Sequence, residues 1–137
     1  MNYWLGAIDG NDWWLGSGPG WRVYLRANEM INPSPSLTWV FLDAREDGIT
    51  SGGFGVDMTG YSDKPALVRF NEDWPGTYHN RAGGFSFADG HSEIRKWVDP
   101  RTTPPIKKGD WISLGITPSP NNQDIIWMQQ RSTRRIQ

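Results

Sequence analysis

The sequence contains no cysteine, no long apolar run and no large excess of charge. The absence of cysteine from the 137 residues excludes a disulfide framework and thiol chemistry. No apolar run approaches the roughly 20 residues that a helix needs to cross a bilayer, and no signal peptide is recognisable. The formal charge of −1 removes the electrostatic argument for nucleic-acid binding, which requires a basic stripe, so we expect no nucleic-acid partner.

The composition indicates a loop-rich domain that is anchored by aromatic side chains. The hydrophobic fraction is 36%, and nine tryptophans stand beside 16 glycines and 10 prolines. The length predicts one globular domain over residues 1–137 with a modest core. We divide it into a Trp/Gly-rich loop (1–21), a sheet core (38–97), and a Pro-rich loop with a C-terminal helix (98–137).

The segment 78–97 holds both histidines and the strongest hairpin signal. Asp89-Gly90 lies between two alternating runs and predicts a two-residue type I′ turn, because both turn residues need positive φ. This turn would place Ala88 opposite His91. Since side chains alternate along a strand, one face would be apolar and the other mostly polar. The predicted apolar face carries Phe85, Phe87 and Ile94, and the other face carries Ser86, Ala88, His91, Glu93, Arg95 and Trp97.

Further elements are predicted from short apolar runs bounded by turn residues. The last helix is expected to begin at an N-cap of Asn121 or Asn122, to place Ile125 and Met128 on one face, and to end near Arg134. Strands are expected at residues 38–43, 53–58, 66–70 and 111–114.

The Trp/Gly-rich loop has no helical or strand period. It admits two interpretations. Its aromatic side chains either hold a long loop against the body of the domain, since tryptophan buries a large area, or form an exposed patch that stacks on sugars or partner surfaces. The residues concerned are Trp4, Trp13, Trp14 and Trp21.

Carboxylates and histidines form the candidate set for metal or acid–base chemistry. Their spacing matches no zinc or calcium motif, and the chain has neither a nucleophile elbow nor a phosphate loop. We therefore predict a protein that is not an enzyme, with no cofactor, in which His79 braces the hairpin by bonding a backbone carbonyl or Asp89. A metal-dependent hydrolase centred on His79, Asp89 and His91 is a weaker alternative. The set comprises Asp43, Glu46, Asp47, Asp57, His79, Asp89 and His91.

The same segment resembles a bacterial family of prepilin-type proteins. His79, nine intervening residues and then Asp89-Gly90 reproduce its H-X9-DG signature. The flanking segments 32–34, 40–43, 95–97, 99–102 and 119–122 are also similar to the family, so the resemblance covers most of the chain. The residues that match the central motif are His79, Gly83, Gly84, Phe87, Asp89, Gly90 and His91.

The predicted elements indicate an α+β fold, with an antiparallel β-sheet built on the hairpin and the strands within 38–58, long Gly/Pro/Trp-rich loops and a C-terminal helix. The resemblance implies that this domain is a pilin-like head. It implies a pilin-like or pseudopilin-like subunit that acts in filament assembly or type II secretion at the cell envelope, on its periplasmic or extracellular face. The implied partners are other pilin-like subunits or secretion components. The main alternative is a module that binds polysaccharide through the N-terminal tryptophans.

Family members begin with a prepilin leader and a long apolar helix. Because neither is recognisable here, we expect the chain to be a soluble fragment or a truncated gene product, with membrane contact only through that absent helix.

Overall fold

The computed structural model describes residues 1–6, 15 and 20–136, and in this part the chain forms five strands and one α-helix. In chain order they are β1 (Trp39–Leu42), β2 (Arg69–Asn71), β3 (Ala82–Phe87), β4 (Ser92–Lys96), β5 (Ile116–Pro118) and α1 (Gln123–Gln129). Short 3-10 helices lie at Ala27–Glu29, Glu46–Gly48, Pro65–Leu67 and Pro100–Thr102. All strand pairs are antiparallel, so the predicted mixed α+β class is confirmed.

The strands form a three-stranded sheet in the order β1-β3-β4 and a two-stranded sheet of β2 and β5. β1 lies within the predicted strand 38–43, because its β-branched and aromatic residues are bounded by turn residues. The strand predicted at 111–114 is wrong. The segment that pairs with β2 begins at Ile116, and Phe70 lies opposite Thr117.

Residues 53–58 do not form the predicted strand, although most of the segment is buried. Its ladder contact is an isolated parallel bridge between Asn2 and Phe54. The Gly55 N–H donates instead to the carboxylate of Asp73 (2.6 Å). Because a side chain and the N-terminal segment satisfy this backbone, the segment is buried without a strand partner.

The hairpin between β3 and β4 has a three-residue turn, so the predicted type I′ turn is wrong. Phe87, and not Ala88, faces His91, and the Phe87 N–H donates to the His91 carbonyl (2.9 Å). The Gly90 N–H closes the turn onto the Phe87 carbonyl (3.0 Å). Gly90 has a φ of 95°, whereas Asp89 is not among the residues with positive φ. A type I turn followed by a left-handed glycine needs one residue more than a type I′ turn, and the strand register shifts accordingly.

The shifted register changes which side chains reach the core. Phe85 and Phe87 are buried as predicted, but Phe85 pairs with Glu93. Ile94 was predicted on the core face and is 66% exposed on the opposite face. Trp97, predicted on the polar face, is buried beside Phe85, with a ring-centroid distance of 5.9 Å.

The core is built largely from aromatic rings in edge-to-face contact. Trp39 on β1 packs against Phe54 and Phe85, at centroid distances of 5.9 and 6.1 Å. Phe85 also contacts Trp97 and Trp127, the latter at 5.1 Å. Such contacts add to the stabilisation from area burial, which explains how a chain with few aliphatic residues forms a core.

Helix α1 begins as predicted and ends earlier. The side-chain oxygen of Asn122 accepts hydrogen bonds from two backbone N–H groups of the first turn, and Ile125 and Met128 are buried on one face. The helix ends at Gln129 rather than near Arg134. No helix in the described part of the chain is long and apolar enough to cross a membrane.

After α1 the chain forms turns over residues 130–132 and then bonds to other segments. The Trp39 N–H donates to the Arg131 carbonyl (3.3 Å), and the Arg22 N–H donates to the Arg134 carbonyl (2.9 Å). Ser132 accepts the indole N–H of Trp39 (3.0 Å). These bonds connect the C-terminal segment to β1 and to Arg22. They use backbone groups that a longer helix would need for its own hydrogen bonds.

Candidate functional site

The candidate site is built around β3, because the residues of the H-X9-DG pattern lie on this strand and at its two ends. His79 precedes the strand, and its Nε2 lies 3.1 Å from Oδ2 of Asp43. The same carboxylate oxygen accepts the N–H of Gly84 (2.9 Å), and the Asp43 N–H donates to the Gly84 carbonyl (3.0 Å). His79 therefore braces the end of β1 against β3. The predicted partner of its ring, a backbone carbonyl or Asp89, is wrong.

The two glycines at the start of β3 are required by close approach. A Cβ atom on Gly84 would lie 2.9 Å from Oδ2 of Asp43. A Cβ atom on Gly83 would lie 2.9 Å from the Trp97 indole, which donates its N–H to the Gly76 carbonyl (2.8 Å). Any larger residue at either position would displace a hydrogen-bonded neighbour.

The other end of β3 carries the turn residues of the pattern. Oδ1 of Asp89 accepts the His91 N–H (3.1 Å) and lies 2.5 Å from the His91 ring Nδ1. The hydrogen bond from the His91 side chain lowers the pKa of Asp89. The His91 ring stacks on Phe87, with centroids 4.3 Å apart and planes 4° from parallel. The two histidines thus lie at opposite ends of a six-residue strand.

The other carboxylates of the candidate set have separate partners. Arg45 donates through Nε and Nη2 to the two carboxylate oxygens of Asp47 (2.6 and 2.9 Å). Burial opposes ionisation of Asp47, but hydrogen bonds from Arg45 and the Lys107 N–H outweigh it and lower its pKa. Asp57 accepts from Arg69 (2.8 Å). Glu46 is exposed. Among residues 1–6, 15 and 20–136, no three His, Asp or Glu side chains are placed to hold a metal ion.

Asp73 is a buried carboxyl that the sequence analysis did not single out. It accepts the Gly55 N–H (2.6 Å) and the Thr50 hydroxyl (3.3 Å). Burial raises its pKa to about 6, against these hydrogen bonds. No local pattern distinguishes it from the neighbouring Glu72, because its burial depends on segments distant in the sequence.

The tryptophans proposed as a binding surface divide into two groups. Trp4 and Trp21 are 0% and 1% exposed, and their ring planes are tilted by 50°. They agree with the interpretation that the aromatic side chains hold the loop against the body. Trp13 and Trp14 lie outside the described residues.

An exposed apolar surface lies on the face of the three-stranded sheet that points away from the core. Phe41 on β1 and Ile94 on β4 are 57% and 66% exposed there. Between them are the small residues of β3 and β4, so the surface is a shallow groove. We name this the outer sheet face, consisting of Phe41, Gly84, Ser86, Ser92 and Ile94.

The outer sheet face could not be predicted from the sequence, because the type I′ register assigns Ile94 to the core. The sequence pattern that indicates such a surface is a small residue in one strand opposite an isolated apolar residue in the next, as for Ser86 opposite Phe41 and Gly84 opposite Ile94. Asp43 lies at the rim of the groove, so the contact with His79 is continuous with this surface.

Comparisons of the chain with protein-family models, with curated proteins and with solved structures find no match, so its function is argued from the residues above.

Proposed function

We propose that the chain is the non-enzymatic globular head of a pilin-like or pseudopilin-like subunit that acts in filament assembly or protein secretion at the cell envelope. The observation that carries the proposal is the H-X9-DG pattern together with the position of its residues on β3. His79 fastens the strand to β1 through Asp43, and Asp89-Gly90 forms the turn to β4. The pattern thus has a structural role in the central strand of the sheet.

The outer sheet face supports the same proposal, because a head that assembles needs a surface on which a neighbour can pack. Phe41 and Ile94 stand on either side of a groove floored by Gly84 and Ser86. Isolated exposed apolar residues are ordinary, but two of them flanking a row of small residues form a surface complementary to a ridge of apolar side chains. In this proposal the groove receives an apolar segment of the subunit or of its neighbour.

The test is incorporation into a filament. Residues 1–137 would be fused behind the leader and apolar helix of a well-characterised pilin and expressed with its assembly machinery. Sheared filaments would then be probed for the head by immunogold electron microscopy. We expect the fusion to be processed and to co-assemble with the host subunits.

Matched variants separate a specific role of the groove from a general effect of surface charge. Phe41→Asp places a carboxylate in the groove. Leu67→Asp places one outside the groove, at a residue with nearly the same exposure (55% for Leu67, 57% for Phe41). We expect incorporation to fall for the first variant and not for the second. A fusion that is processed and stable in the membrane, yet absent from filaments, would contradict the proposal.

A further inference from the structure

Strand β4 is one of the two edge strands of the three-stranded sheet. The other edge strand, β1, bonds to Asn2 and Arg131. The bonds from Phe87 N–H to the His91 carbonyl and from Trp97 N–H to the Arg81 carbonyl show that odd-numbered residues of this segment bond toward β3. The backbone groups of the even-numbered residues therefore point outward. Among the described residues no hydrogen bond is made by the backbone N–H or C=O of Ser92, Ile94 or Lys96.

The charged side chains of this edge form no close ion pair in the described part of the chain, although Glu93 acts electrostatically on Arg131. Glu93 and Arg95 lie on the inner face of the strand, and within the described part of the chain neither forms an ion pair. The Arg95 guanidinium lies 5.0 Å from the centroid of the Trp127 ring, and its buried Nε has no acceptor in the part of the chain that the structure describes. Trp127 and Arg131 form the far wall of a groove of about 620 Å³ that follows the strand. The edge thus offers a strand site beside Arg95, whose Nε has no hydrogen-bond acceptor among the described residues.

We propose that a second copy of this chain adds to the sheet through antiparallel pairing of β4 with β4, about a two-fold axis at Ile94. In this register Ile94 pairs with Ile94 of the second copy, and Ser92 pairs with Lys96. These are the residues with outward backbone groups, so they form the new ladder. Glu93 then lies opposite Arg95 of the second copy in a non-hydrogen-bonded pair, where side chains approach most closely.

Charge selects this register over its neighbours. A slip of two residues in one direction places Glu93 opposite its own copy, and a slip in the other direction places Arg95 opposite its own copy. Like charges directly opposite each other are destabilising, whereas the two-fold register at Ile94 makes two opposite-charge pairs. The sequence Ser92–Lys96 is therefore self-complementary at one symmetric alignment, which is what an isologous interface requires.

This inference does not rest on the proposed function. Neighbours along a helical filament meet through unlike surfaces, whereas the β4 contact is between like surfaces and closes on itself. It would join two free heads or heads of different filaments. The outer sheet faces of the two copies would form one continuous surface, with the Ile94 side chains at its centre.

The test is sedimentation equilibrium over a concentration series, with charge reversals designed for the register. Wild-type protein is expected to form a concentration-dependent dimer. Glu93→Arg and Arg95→Glu each turn two attractive cross-strand pairs into two repulsive ones, and each should weaken the dimer by roughly tenfold or more. A mixture of the two variants restores both opposite-charge pairs. It should form a one-to-one heterodimer, detectable by labelling one variant.

The decisive comparison is between the mixture and the wild type. A slipped register places like charges opposite each other in the wild type, so it predicts that the mixture associates more tightly than the wild type, whereas the register at Ile94 predicts recovery to the wild-type level. A wild-type protein that stays monomeric, single variants that dimerise as the wild type does, or a mixture that fails to associate would each overturn the proposal. Ile94→Pro removes an outward N–H without removing a bond to β3 and should abolish dimerisation, whereas Ile94→Val keeps the N–H and should not. Near-ultraviolet circular dichroism of each variant verifies that the monomer is folded.

Discussion

Replacement of Asp73 by asparagine is expected to stabilise the protein at neutral pH, although it removes a hydrogen-bonded carboxylate. Asparagine has nearly the same shape, and its side-chain oxygen can still accept the Gly55 N–H. The substitution removes the cost of ionising a buried carboxyl. This cost raises the pKa of Asp73 from 3.8 to about 6. Asparagine therefore resembles the protonated form of the residue, which the folded state prefers.

The sign and size of the effect follow from the linkage between protonation and folding. Because the pKa of Asp73 is higher in the folded state, the folded state binds the proton more tightly, and stability is lost as pH rises from about 4 to about 6. The difference between 3.8 and about 6, at 1.36 kcal/mol per unit, corresponds to about 3 kcal/mol at neutral pH. Asp47 and Asp89 have the opposite effect, because their pKa values are lowered in the folded state. They contribute stability at neutral pH that is lost as the pH falls below their ordinary pKa.

The assay is urea unfolding followed by tryptophan fluorescence at a series of pH values. The free energy of unfolding of Asp73→Asn should equal that of wild type near pH 4 and exceed it by about 3 kcal/mol near pH 7. Asp63→Asn, at an exposed carboxylate, is the matched control and should follow wild type throughout. If the difference between Asp73→Asn and wild type does not change with pH, Asp73 ionises normally in the folded protein and the reasoning is refuted.

Three further substitutions test the packing, charge and capping arguments by the same unfolding assay. Gly84→Ala places a Cβ 2.9 Å from a carboxylate oxygen at the end of β1 and should destabilise by about 1–3 kcal/mol. Gly52→Ala, with nothing within 4 Å, should change stability little, and an equal loss in both variants would contradict the steric account. Arg45→Met leaves the carboxylate of Asp47 buried without its cation and should cost about 3–5 kcal/mol, so a loss below about 1 kcal/mol would show that the ion pair is dispensable. Asn122→Ala should cost about 1 kcal/mol through loss of the cap, and an unchanged midpoint would show that the cap contributes nothing.

The elements that the sequence predicted correctly are those specified by local chemistry. β1 is a short β-rich run between turn residues, and α1 has an asparagine N-cap followed by Ile125 and Met128 on one face. The existence of the hairpin was equally clear, because Asp89-Gly90 interrupts two alternating runs. In each case a few adjacent residues decide the outcome, so single-sequence reasoning is adequate.

The elements that were missed depend on contacts distant in the sequence. Residues 53–58 are mostly apolar and mostly buried, but the N-terminal segment and Asp73 bond to their backbone, so no ladder forms. The end of α1 is likewise set by the pairing of the C-terminal residues with β1 and with Arg22. Propensity and periodicity carry no information about which distant group satisfies a backbone N–H, and this explains both errors.

The contacts of the candidate residues could not be predicted from the sequence. Gly83 and Gly84 belong to the H-X9-DG pattern, but the neighbours that they approach closely, Trp97 and Asp43, follow only from the structure. The partner of His79 could not be derived, because Asp43 lies 36 residues away and only the alignment of β1 with β3 brings the two together. A role for a histidine can therefore be inferred from spacing, but its hydrogen-bond partner requires the strand order.

One additional residue in the hairpin turn determines most of the surface chemistry discussed above. In a two-residue turn, Ile94 would join Phe85 in the core, and Arg95 would lie on the face away from Trp127. In the three-residue turn Gly90 alone takes positive φ, and the register places Arg95 over Trp127 and Ile94 in solvent. The apolar groove and the self-complementary edge both follow from this register. The proposed roles in assembly and in dimerisation therefore share one structural origin, although they concern different surfaces and are tested by different variants.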